Sequence, residues 1–206
     1  MIVMKKFLFT IVAVLMAAPS FAQFSSGGFS LDEEHLYWGA RFGITFAGIG
    51  GDLKTDKGRT GMTLGGVVGL RVSDSTPVFL ESGLYYTQRG GKDLTGFKQT
   101  DVVNVKSTKA HLNYLEIPVL VKYGIMTDNN VAFLPFFGPY FSFSVSGDHD
   151  YLKRNDMGFK LGCGLEWNNL YVEAAYQFGV LNIVDYDTDD FSSHGHAFGI
   201  NVGVNF

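Results

Sequence analysis

The last eleven residues, HAFGINVGVNF, alternate without a break. Phe198, Ile200, Val202, Val204 and Phe206 fall in one row, and Ala197, Gly199, Asn201, Gly203 and Asn205 in the other. Side chains along a strand point to opposite faces in turn, so this pattern makes one apolar face and one small or polar face. A helix would scramble the two rows. The same parity recurs upstream. It runs through Leu36-Trp38-Ala40-Phe42-Ile44-Phe46, Met62-Leu64-Gly66-Val68-Leu70-Val72 and Leu80-Ser82-Leu84-Tyr86. It continues in Leu115-Ile117-Val119-Val121-Tyr123, in 131–146, in Phe159-Leu161-Cys163-Leu165-Trp167 and in Leu170-Val172-Ala174-Tyr176-Phe178. That makes eight segments, each with one greasy face.

An even number of roughly ten-residue alternating segments is the sequence form of an antiparallel up-and-down barrel that crosses a membrane. The connections support this. The stretches 73–77, 126–130 and 167–169 are short, whereas 47–60, 90–110, 147–156 and 182–194 are long and polar. Strict short–long alternation suits turns on the periplasmic side and loops outside, with both termini periplasmic. A soluble barrel of the lipocalin type has the same period with the apolar face turned inward. Against it, the second face is rich in Gly, Ser, Asn and Tyr and poor in charge. Trp38, Tyr123, Trp167 and Phe206 also gather near the short turns, with Tyr86, Phe141, Phe143 and Phe178 toward the loops. Such girdles mark membrane interfaces. The expected fold is an all-β, eight-stranded transmembrane barrel over 36–206.

The first residues read differently. Lys5 and Lys6 precede an apolar run from Phe7 to Ala18, and Ser20-Phe21-Ala22 makes a small-x-small site. This is a secretory signal over 1–22, too short to span as a helix, followed by a short periplasmic segment over 23–35. Its removal shifts the formal charge from −4 to −6, because Lys5 and Lys6 are its only charged residues. An acidic chain argues against nucleic acid as a partner. About 184 residues remain, enough for one domain. Cys163 is the lone cysteine, so no internal disulfide is possible.

The stretch YLEIPVLVKYG, Tyr114 to Gly124, is preceded by LESGLYYTQRGGK (80–92) and followed by PFFGPYFSFSVSG (135–147). With YWGARFGITF, GFKLGCGLEW and LYVEAAYQFGVLNI, these resemble the small porin-family, PorT-like outer membrane β-barrels of Bacteroidetes. The resemblance implies a bacterial outer membrane location, and it makes Phe206 similar to the terminal signal read by the barrel assembly machinery. The family name implies pores, and one member type is implicated in protein secretion. No residue here marks that role.

Parity sends seven charged residues inward: Arg41, Arg71, Glu81, Glu116, Lys122, Lys160 and Glu173, with Glu166 on the same row. A lysine on the lipid face costs about 2–4 kcal/mol at the membrane midplane, whereas inside a carboxylate can meet it. Distance from the short turns predicts a shared layer of Arg41, Glu81, Lys122 and Glu173. The cluster is either a structural salt-bridge plug or the lining of a narrow channel. Narrow barrels are normally filled, which favours the plug.

Elsewhere, Asp185, Asp187, Asp189 and Asp190 crowd one loop and form a weak calcium candidate, without the glycine and terminal glutamate of an EF-hand. An acidic, solvated outer loop is the better reading of them. His149 with His194 could serve a transition metal. No motif frames a nucleophilic serine, so no catalytic residue and no cofactor is assigned. Pro118 lacks an amide proton and a closed barrel has no free edge. A bulge and a hydrogen-bond-poor seam are therefore expected near Pro118, opposite Gly138 and Pro139. The chain reads as a non-enzymatic structural or surface-interaction barrel whose partners are outer membrane lipids and an unidentified ligand of the loops. The alternatives are a porin-like channel for small solutes and an accessory barrel in secretion or envelope assembly.

Overall fold

The computed structural model describes residues 36–51, 53–73, 75–97, 102–103, 110–127, 131–147, 154–181 and 193–206. The expected signal over 1–22, the expected periplasmic segment over 23–35, His149 and the aspartates at 185–190 lie outside them. Within them the chain forms β1 (Leu36–Gly51), β2 (Leu53–Arg71), β3 (Val78–Phe97), β4 (Val102–Val103) and β5 (Ala110–Tyr123). There follow β6 (Ile125–Thr127), β7 (Val131–Gly147), β8 (Asn155–Trp167), β9 (Leu170–Gly179) and β10 (Ser193–Asn205). β4 pairs only with the tip of β3, and β6 carries the line of β5 past Gly124 along β7. The other eight strands close into a ring, with β1 paired to β10 on one side and β2 on the other. Every pairing is antiparallel.

Cross-strand partners can be followed once around the ring. Leu70 leads to Leu80, Val121 and Phe137. Leu161, Tyr176, Phe198 and Phe46 follow, and the path returns to β2 at Thr60. It comes back ten residues from where it began. This stagger leans the strands by roughly 40° and leaves an interior that side chains fill.

The two rows separate as alternation requires. Glu116 and Lys122 are 2% and 1% exposed, whereas Ile117 and Val121 between them are 39% and 53%. The apolar row therefore faces outward on a closed ring, which excludes the inward-facing arrangement of a soluble barrel. No helix of the described residues is long and apolar enough to cross a membrane, and crossing falls to the strands.

Inward glycines make room for aromatics. Tyr37 lies opposite Gly69, Tyr85 opposite Gly65 and Phe136 opposite Gly162. A Cβ on any of these glycines would collide with the facing ring. Near the short turns, Trp38 and Phe206 exchange backbone hydrogen bonds at 3.0 and 2.8 Å, and their rings stack at 4.7 Å. The turn between β8 and β9 is two residues long, and Asn168 takes left-handed backbone there, with φ 53°. Asparagine tolerates that region well among residues other than glycine.

Two expectations need correction. The stretches 47–60 and 90–110 are not simply loops, because β1 runs to Gly51, β2 begins at Leu53 and β3 reaches Phe97. Backbone pairing needs no alternation of side chains beyond the lipid, so these strand ends leave no period-two signal. At Pro118 the seam exists but the bulge does not. Paired register lapses between Pro118–Tyr140 and Val121–Phe137 and resumes unshifted. On the other flank it lapses between Ser82–Val119 and Tyr85–Glu116. The irregularity in β5 falls at Asn113/Tyr114 instead. The Ser82 hydroxyl donates to the Pro118 carbonyl at 2.8 Å, which satisfies an acceptor the broken ladder would leave bare.

Candidate functional site: the ionic lumen

Charged side chains gather in two layers along the barrel axis. Nearer the short turns, Lys122 Nζ on β5 lies 2.9 Å from Glu81 Oε1 on β3, and Arg41 Nη2 on β1 lies 3.6 Å from Glu81 Oε2. The Tyr37 hydroxyl donates to the same Oε2 at 2.7 Å. Lys122 also donates to the Tyr171 hydroxyl at 2.8 Å, which in turn donates to Glu173 Oε2 at 3.0 Å. Arg41 sits 4.0 Å over the Tyr171 ring, a cation–π contact in a desolvated place. Asn201 donates to Glu173 at 2.7 Å, while Asn205 accepts from Arg41 at 2.6 Å and donates to Glu166 at 2.9 Å. Buried charges are tolerated where, as here, partners and hydrogen bonds replace water.

The second layer lies farther up. Arg89 on β3 ion-pairs with Glu116, reaches Asp156 Oδ2 at 3.3 Å and donates to Gln177 Oε1 at 3.1 Å. Gln177 passes the link on to Glu116 at 2.8 Å, and Tyr140 donates to Asp156 Oδ2 at 3.0 Å. Lys160 Nζ stands 3.7 Å from Glu116 and 5.2 Å from the Tyr85 ring.

Apolar groups lie between and beneath these layers, and Lys160 reaches across the gap toward Glu173. Along β5 the inward order is Lys122, Leu120, Pro118, Glu116; along β9 it is Glu173, Ala175, Gln177. Leu120, Ala175 and Phe136 touch one another as a buried cluster between the layers. Tyr37, Phe79, Ala132, Leu134 and Tyr171 form another at the short-turn end. Beside the upper belt, the hydroxyls of Thr45, Thr63 and Thr87 link across three strands at 2.7 and 2.6 Å.

Of the seven charges read from parity, the structure brings Arg41, Glu81 and Lys122 into direct contact and ties Glu173 to them through Tyr171. Glu116 and Lys160 join the upper layer. Arg71 belongs to neither, being only half-buried at the rim, where its Nε donates to the Ser73 carbonyl at 3.0 Å. Sequence reasoning missed Arg89 and Asp156. Arg89 follows Glu81, Tyr85 and Thr87 in the same parity, and one more step along that row would have found it. Asp156 lay at the end of a stretch read as loop. Cys163 is half-buried in the outward row, and the His194 ring nitrogen Nδ1 lies 3.3 Å from the Leu181 carbonyl.

A closed ring that is apolar outside and ionic within is a membrane-spanning barrel. The chain belongs to the family described as outer membrane protein beta-barrel domain, whose model matches residues 21–185, and its place is the bacterial outer membrane. No curated protein matches it. It is similar to the solved structure of Neisserial surface protein A, at 16% identity over 84% of this chain and 98% of that one, with a TM-score of 0.48. It is also similar to Ail, the attachment invasion locus protein of Yersinia pestis, at 14% identity over 84% and 100%, with a TM-score of 0.44. OprG from Pseudomonas aeruginosa is 13% identical over 82% and 95%, with a TM-score of 0.48.

Proposed function

We propose that this barrel is a non-enzymatic, plugged surface protein whose work is done at its outer end, where the long connections meet a partner. The observation that carries this reading is the order of layers along β5 and β9. A water column would have to cross Leu120, Phe136 and Ala175, and then the cluster around Phe79 and Leu134. Between them each cation is held by a carboxylate, so the charges brace the wall and offer no free path. On this reading the short turns and both termini face the periplasm, and export uses the signal over 1–22. The barrel assembly machinery then engages the strand that ends in Phe206. The Tyr114–Gly124 string supports placement among the PorT-like members.

Planar-bilayer recording of the refolded chain tests the reading. The expected result is an unbroken baseline, unchanged by Lys122→Ala. Stable unitary currents altered by that substitution would overturn the plug in favour of a channel for small solutes.

A further inference from the structure

Two histidines share one stretch of the outer wall. His194 and His196 lie two apart on β10 and so point the same way, outward with Phe198, Ile200 and Val202. They stand at the long-connection end, one step past Phe198. His196 is paired with Phe178 on β9 and with Gly48 on β1, and His194 is paired with Gly50. His196 is exposed and His194 half-buried.

Both rings are set for a common guest. A carbonyl can only accept, so His194 Nδ1, 3.3 Å from the Leu181 carbonyl, carries the proton of the neutral ring. The lone pair then lies on Nε2. A backbone carbonyl on the other ring nitrogen is the usual company of a metal-bound imidazole. His196 leans up the strand toward the same level. A Cβ at Gly50, directly across from His194, would lie 3.6 Å from His196 Nδ1 and Cε1. Gly48 and Gly50 put no side chain beside the pair, which leaves the rings room to turn. Imidazole suits zinc, copper and nickel, whereas magnesium and calcium prefer oxygen ligands. Among first-row divalent ions, affinity for such a site peaks at copper. Among the described residues no group of three His, Cys, Asp or Glu side chains gathers for a metal, so two imidazoles are the ligand set here.

We propose that His194 and His196 form a two-imidazole site on the outer wall for a divalent late transition-metal ion, copper(II) most tightly, with water in its remaining positions. This goes beyond the reading of the barrel as a plugged surface protein. A site on the outer wall stands whether or not the lumen conducts, so the bilayer recording and the titration below fail separately.

The test uses the full chain, without an affinity tag, refolded in a zwitterionic detergent and titrated with copper(II). Electron paramagnetic resonance is expected to show saturation at one ion per chain, with spin-echo modulation from the remote nitrogens of two imidazoles. His194→Gln and His196→Gln should each weaken binding by at least about tenfold and leave a single imidazole, because losing a ligand costs no less than losing the group that orients one. His149→Gln and excess Mg²⁺ should change neither the affinity nor the spectrum. No saturable binding, a single imidazole in the unaltered chain, two imidazoles retained in His196→Gln, or an equal loss in His149→Gln overturns the proposal. If a variant does not fold, amide resonances of the unaltered chain decide. Substoichiometric copper should erase Gly195 and Gly50 before Gly147, at the far end of β7, and any other order overturns the site.

Discussion

Lys122 and Glu81 meet 2.9 Å apart across β5 and β3, with both side chains almost wholly withdrawn from solvent. Removing one member of such a pair strands the other's charge, whereas removing both strands none. Lys122→Met is therefore expected to destabilise the barrel by about 3 kcal/mol, the lower end of the usual range, because Arg41 still stands near Glu81. The double variant with Glu81→Gln should recover only part of that loss, because it takes from Arg41 the carboxylate it stands beside. Urea unfolding in lipid vesicles, followed by Trp38 and Trp167 fluorescence, measures both.

The inward glycines divide into two kinds. A Cβ at Gly69 would collide with the Tyr37 ring, whereas at Gly199 it meets nothing closer than 3.6 Å. Gly69→Ala should cost about 1–3 kcal/mol through overpacking. Gly199→Ala should be neutral or stabilising by up to about 1 kcal/mol, since it restricts the unfolded chain without a clash. Paired urea midpoints at constant m-value distinguish these outcomes.

Leu161 stands 44% exposed on the outer face, beside Phe137 and Tyr176. Leu161→Arg is expected to cost up to about 2–4 kcal/mol in a bilayer, the penalty for a cation on a lipid-facing site near the midplane. In a micelle, where water lies closer, the same substitution should cost less. Parallel unfolding in the two media gives the comparison.

The seam at Pro118 predicts uneven protection. The amide of Val119, which faces the lapse opposite Pro139, should exchange faster than those of Leu115 and Phe141, where register is regular. Uniform protection along β5 and β7 would contradict this. Ser82→Ala should speed exchange further, because it removes the hydroxyl bonded to the Pro118 carbonyl.

Period two revealed the ring, its sidedness and six of the inward charges that later meet, because a membrane penalises any break in the outward row. It gave no heights. Glu173 reaches its layer only through Tyr171, and a tyrosine on an inward row carries no mark of which charge it will bridge. Arg89 and Asp156 were hidden for another reason. Alternation persists at both, but each lies at the edge of a stretch read as loop, where the row was not followed far enough. Pro118 was legible as an awkward residue, but whether the wall answers with a bulge or a lapse depends on both neighbouring strands, which no single segment displays.

Arg41 binds Asn205 on β10 and approaches Glu81 on β3, so one side chain joins the first strand to the last and to the third. None of these partners is its neighbour in the chain. A sheet that stopped short of closure would deprive the guanidinium of its acceptors on β10, a loss lipid cannot make good. The interior thus acts as a proofreading device. An incomplete barrel is left carrying its own penalty, and only a finished one is rid of it.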